Sequence, residues 1–160
     1  GSECLLQLVR AFGRKILRPD GSLDRAGMAA MAFPDPEKLA VLNRITHKAI
    51  LQLLKNRLKE LEAAGQSLVV VDAPTLFESG ADRLCGAVVS VTAPEAFRLE
   101  RILARDHLEP EAAKRRMDAQ KEEAYYTERS DYILVNDGSV KDLEEKARQL
   151  ARHLQEKAGG

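Results

Sequence analysis

Tryptophan is absent from the 160 residues, and aromatic residues of all kinds reach only 4%. Cysteine is scarce: Cys4 and Cys85 stand alone, outside any Cys-x-x-Cys pair, and His47, His107 and His153 are scattered. That excludes a disulfide framework and leaves no zinc-ligand spacing, so the cysteines read as two free thiols of a reducing compartment. Excess charge of either sign is missing too, with 25 Lys plus Arg against 25 Asp plus Glu. A general nucleic-acid or membrane-surface binder normally carries a basic excess, although a local cluster of positive charge remains allowed. No apolar run approaches the roughly 18 residues of a membrane span, and no basic-then-apolar leader opens the chain, which reads as soluble and cytoplasmic. Gly-x4-Gly-Lys-Ser/Thr, Gly-x-Gly-x-x-Gly, Gly-x-Ser-x-Gly and His-Glu-x-x-His are all absent.

What is present is a foldable composition. Hydrophobic residues make up 44% and charged residues 31%, too apolar for a disordered chain and long enough for one domain with its own core. Arg18–Ser22 and Phe33–Pro36 are turn signals. Asp35 as N-cap and Pro36 at the first helical position open a long helix, ended by Gly65. Leu39, Leu42, Ile45, Ala49, Leu53, Leu58 and Leu61 form its apolar stripe, with room for a bend near His47.

Three short apolar runs follow, 68–71, 87–91 and 132–135. Their continuous apolarity suits strands of a parallel sheet covered on both faces. Between and after them the pattern is helical. Thr92–Glu95 is a capping-box pattern opening a helix to about Arg105, and Glu111 to about Glu123 reads as another. Ser139–Asp142 is a second capping box, opening a helix with Leu143, Ala147, Leu150 and Leu154 on one face. This alternation predicts an α/β fold.

Three features bear chemistry. Asp72 closes the run 68–71, at the carboxyl end of an expected strand, where open α/β sheets bind ligands. It either holds Mg²⁺ or caps the following turn. Arg98, Arg101 and Arg105 share one helix face, with Arg115 and Arg116 on the next helix. They either close over a polyphosphate or form a solvated face paired with Glu100, Asp106, Glu109 and Glu111. His47 is either a packed helical residue or a hydrogen-bonding partner of an acceptor substrate.

Five segments in order resemble the dephospho-coenzyme A kinase family nearly end to end. They are Asp20–Arg25 with Phe33, Leu42–His47, Val71–Glu78, Arg98–Asp106 with Arg116–Gln120, and Ser130–Gly138. The resemblance implies ATP-dependent phosphorylation of the ribose 3′-hydroxyl of dephospho-CoA, with ATP and Mg²⁺ as cofactors. It implies a three-layer P-loop kinase fold: a parallel sheet, a helical acceptor-binding region over 14–66, core strands at 68–91 and 132–136, lid helices over 95–127 and a C-terminal helix over 139–157, all in one domain. Carried over by position, Arg101 and Arg105 are catalytic lid arginines on the ATP phosphates. Arg116 and Asn136 join them in nucleotide binding. Arg25, His47, Asp72, Leu76, Phe77 and Glu78 face dephospho-CoA. No nucleic-acid or membrane partner is implied.

The sequence also departs from the family. Lys48 replaces the proline after His47, and Thr75 replaces a leucine. Gly1–Gly13 resembles a family segment that follows the second strand, so the first two strands and the P-loop between them are expected to be absent from this chain; Gly1–Ser2 is then either native or a cloning scar. The missing central strand leaves unpaired sheet edges, which are costly. Either that segment lies outside these 160 residues, which we favour, or the remaining strands re-pair, or a second chain fills the gap by strand exchange. Without it the chain is expected to be inactive. The alternatives are a non-catalytic binding module holding dephospho-CoA or a partner protein, and another small nucleoside or nucleotide kinase, against which the segment 72–78 argues.

Overall fold

The computed structural model describes residues 2–158; Gly1 of the Gly1–Ser2 pair lies outside them. Two compact units divide the chain, Gly1–Leu84 and Cys85–Gly160.

The first unit is helical. Helix α1 (Glu3–Phe12) is capped by the Ser2 side chain, which accepts from the Leu5 amide. A short 3-10 turn (Arg14–Ile16) leads to an antiparallel bridge between Leu17 and Leu23. Asp24 then caps α2 (Arg25–Ala32) by accepting from the Gly27 amide. Helix α3 (Pro36–Ala63) starts as the sequence predicts: Asp35 accepts from the Glu37 and Lys38 amides, and Pro36 occupies the first turn. Gly65 terminates it at φ +74°, where the Gln66 amide reaches back to the Leu61 carbonyl. The helix runs unbroken through His47, as Lys48 in place of proline permits. Its inward stripe is corrected at one position. Leu54 is half-buried, whereas Leu53 is 72% exposed, because it falls off the face that meets the neighbouring helices. Leu8, Phe12, Ile16, Met28 and Ala32 form the core, and Val41, Leu42 and Ile45 of α3 pack on it. The unit closes with α4 (Leu76–Ser79) and a 3-10 turn (Ala81–Leu84).

The strand expected over 68–71 is not formed. A strand exists only where its backbone groups find a ladder partner. Residues 68–71 join none among the described residues, and Val70 is 84% exposed. β-branched apolar composition is a preference and supplies no partner.

The second unit is built on a parallel pair, β1 (Val89–Thr92) and β2 (Tyr132–Val135), in register Val89↔Tyr132 to Thr92↔Val135. The run 87–91 thus begins its strand two residues late, and 132–136 ends one residue early. Cover on both faces is also corrected: Val91 is 61% and Ile133 49% exposed. Helix α8 packs on β2 and α7 on β1, which does not enclose the ladder. Between the strands lie α5 (Glu95–Asp106), α6 (Pro110–Asp118) and α7 (Glu123–Thr127). The helix expected over 111–123 is α6, which ends earlier, at Asp118, and α7 follows it as a separate helix. The Thr92–Glu95 box does not close. Pro94 occupies the N-cap position of α5 and offers no side-chain oxygen. The second box does close. Ser139 Oγ accepts from the Asp142 amide at 3.2 Å, and Asp142 Oδ2 accepts from the Ser139 amide at 2.9 Å, starting α8 (Val140–Ala158).

Candidate functional site

Each unit carries some of the predicted residues. In the first unit, Arg25 is the first residue of α2 and is exposed, placed by the Asp24 cap and by the Asp24 amide donating to the Ile16 carbonyl at 2.8 Å. His47 is half-buried in the middle of α3. The neighbouring Thr46 hydroxyl donates to the Leu42 carbonyl at 2.9 Å, so this helical turn keeps its side-chain bonds local. Asp72 is exposed on the irregular segment ahead of α4, not at a strand end. Leu76 and Phe77 are half-buried in α4, and Glu78 lies exposed beside them.

In the second unit, Leu99, Ile102, Leu103 and Asp106 are the half-buried stripe of α5, at the i, i+3, i+4, i+7 spacing of one helix face. Arg98, Arg101 and Arg105 are exposed beside it. The Arg101 guanidinium donates from Nη2 to Asn136 Oδ1 at 3.0 Å, across 35 residues of chain, and sits 5.7 Å from the Phe97 ring centroid. Asn136 follows β2 directly, and its amide donates to the Thr92 carbonyl at 2.7 Å. Two residues expected to bind nucleotide are thus brought together where both strands end.

Arg105 and Arg116 converge as well. Arg105 donates from Nε and Nη2 to the two Asp106 oxygens, at 2.7 and 2.9 Å. Arg116 Nη1 donates to Asp106 Oδ2 at 2.5 Å, joining α6 to the end of α5. These hydrogen bonds, the Arg105 pair first, hold the Asp106 carboxyl below its ordinary value. Asp106 also holds the Arg105 guanidinium above its ordinary value. Arg105 and Arg116 thus pair with Asp106, one of the acids of the solvated-face reading, whereas Arg101 pairs with Asn136.

Sequence reasoning missed one residue at this end. Lys146 Nζ donates to the Val135 carbonyl and to Asp137 Oδ1, each at 2.8 Å, bracing the chain on both sides of Asn136. Its signal was the capping box, which puts Lys146 one helical turn after Asp142 and back over the end of β2.

Guanidinium groups suit phosphate oxygens, so Arg101, Arg105 and Arg116 fit a nucleotide polyphosphate. No three His, Cys, Asp or Glu side chains gather to hold a metal ion among the described residues, Asp72 included.

A family model described as dephospho-CoA kinase matches residues 1–142. The dephospho-CoA kinase of Syntrophotalea carbinolica is 40% identical over 154 residues, covering 96% of this chain and 73% of that protein. The dephospho-CoA kinase of Moorella thermoacetica is 38% identical over 159 residues, covering 96% and 75%. Among solved structures, the dephospho-CoA kinase from Campylobacter jejuni superposes with a TM-score of 0.67 at 27% identity, covering 94% of this chain and 76% of that one. A Thermus thermophilus protein superposes with a TM-score of 0.73 at 34% identity, covering 93% and 75%. The helix-rich α/β architecture with a small parallel sheet is thus shared with a solved dephospho-CoA kinase.

Proposed function

The chain belongs to the dephospho-CoA kinase family, and on that premise we propose that it serves the ATP-dependent phosphorylation of the ribose 3′-hydroxyl of dephospho-CoA. We assign acceptor binding to residues of the first unit and nucleotide binding to residues of the second. The observation that carries this reading is the Arg101–Asn136 hydrogen bond at 3.0 Å, which joins a lid arginine to the residue after β2. Both were assigned to ATP by position in the sequence, and they meet.

Phosphoryl transfer asks a protein chiefly to position its substrates and stabilise charge. Arg101, Arg105 and Arg116 hold the polyphosphate and stabilise the negative charge that develops on the transferring group. Arg25 and His47 orient the acceptor, and Leu76, Phe77, Glu78 and Asp72 contact it. ATP supplies the phosphoryl group. No step is assigned to Mg²⁺. No helix among the described residues is long and apolar enough to cross a membrane.

No Gly-x4-Gly-Lys-Ser/Thr segment stands among these 160 residues, so nothing here cradles the β-phosphate with backbone amides. We therefore propose that the 160-residue polypeptide alone does not turn over. Calorimetry with dephospho-CoA and with ATP, run separately, tests the division of roles. His47→Ala is expected to weaken dephospho-CoA binding about tenfold and leave ATP binding unchanged, and Arg101→Ala to do the reverse. Unchanged affinities in both variants would sink the assignment. Measurable 3′-phosphorylation by the pure 160-residue chain would overturn its predicted inactivity.

A further inference from the structure

Asp106 has a part that the lid arginines alone do not explain. It is the last residue of α5, and its side chain is 23% exposed, against 68% for Arg105 and 53% for Arg116. The least exposed of the three groups lies between two cations that would otherwise repel. Arg105 meets it side-on with Nε and one terminal nitrogen, and Arg116 meets it with one terminal nitrogen. A guanidinium has five N–H donors in a rigid plane. Both arginines therefore keep further donors beyond those given to Asp106, in planes that Asp106 has set. The next residue, His107, turns the chain in the left-handed conformation at φ +51°, which a side chain rarely adopts. That turn leads to Pro110 at the head of α6, which carries Arg116.

We propose that Asp106 is a positioning residue that binds Arg105 and Arg116 into one pre-oriented anion-binding pair, shaped for a polyphosphate. This rests on the proposed phosphate role of the two arginines. The physical reason is preorganisation. Two long exposed side chains must be ordered, and two like charges brought together, before they grip one ligand. The carboxylate meets both costs before the ligand arrives.

The test turns on sign. By charge alone, removing a carboxylate beside an anion site tightens anion binding. If Asp106 positions the arginines, Asp106→Asn weakens it. Inorganic tripolyphosphate is titrated calorimetrically into the full chain at neutral pH, with circular dichroism confirming helix content. Asp106→Asn is expected to weaken binding about tenfold or more, as loss of charge-assisted hydrogen bonds does. Asp106→Glu is expected to fall between wild type and Asp106→Asn. The Arg105 Nε–H signal in a side-chain nitrogen NMR spectrum, ordered in wild type, is expected to broaden in Asp106→Asn. Equal or tighter binding by Asp106→Asn overturns the proposal while Arg105→Ala and Arg116→Ala still weaken binding. If neither arginine variant weakens binding, or wild type does not bind, the phosphate role of the lid arginines falls and this proposal with it. Should Asp106→Asn not fold, wild-type affinity in Asp106→Glu is the overturning result.

Discussion

Replacing Ile16 by alanine is expected to cost the first unit a large share of its stability. Ile16 has no exposed surface and packs with Leu8, Phe12, Met28 and Ala32. The change deletes three buried carbons, about 2.4 kcal/mol at about 0.8 kcal/mol each. Incomplete collapse of the cavity raises this to roughly 3–4 kcal/mol. A unit of this size is stable by roughly 4–12 kcal/mol, so the loss is roughly a quarter or more of the total. The melting midpoint should fall by roughly 12–30 °C. Thermal melts followed by circular dichroism give the magnitude, and hydrogen exchange read on peptides from α1, α2 and α3 gives the location. All three tyrosines, Tyr125, Tyr126 and Tyr132, lie in the second unit, so tyrosine fluorescence follows that unit separately. Leu53→Ala, at a position 72% exposed, is the control and should change stability by no more than about 0.5 kcal/mol. The backbone bond from the Asp24 amide to the Ile16 carbonyl also holds the start of α2. Ile16→Ala is therefore expected to weaken dephospho-CoA binding through Arg25. A loss below about 1 kcal/mol, or one no larger than that of Leu53→Ala, refutes the assignment of this core.

Other expectations follow from the second unit. Arg101→Ala and Asn136→Ala should each weaken ATP binding, and the double variant should lose less than the sum, because the two side chains act through one hydrogen bond; additive losses in calorimetry would refute that. Asp106 and Asp142 are held below their ordinary carboxylate values, by Arg105 foremost and by the Ser139 hydroxyl foremost, respectively. Their stabilising bonds are present in full above about pH 4 and are lost as pH falls through the lowered folded-state values. Carboxyl ¹³C titration should show both midpoints below that of a short-peptide aspartate, and a midpoint at or above it would contradict the geometry. Ser139→Ala should fray the first turn of α8, seen as faster amide exchange at residues 140–143 with the rest of the helix protected.

Much of the helical part was legible because helix signals are local. Asp35–Pro36 and Gly65 bound α3, and Ser139–Asp142 opens α8, where residues three or four apart satisfy one another's backbone groups. The Thr92–Glu95 pattern was just as visible and marked the start of α5, although Pro94 at the cap position leaves the box itself unformed. Family membership was legible too, since five motifs in order need no three-dimensional information. Residues 68–71 show where sequence stops. Their composition favours a strand, yet a strand is a property of two segments.

The sequence by itself determined the α/β class, the balanced charge, the main helix boundaries and the arginines that share one face of α5. Tertiary structure alone decided which partners those arginines keep. Arg101 meets Asn136 across 35 residues, and Asp106 lies between Arg105 and Arg116. Periodicity shows that charged residues share a helix face. It does not show whether an acid among them is a solvated neighbour or the anchor that sets two guanidinium planes, because that depends on where a second helix arrives.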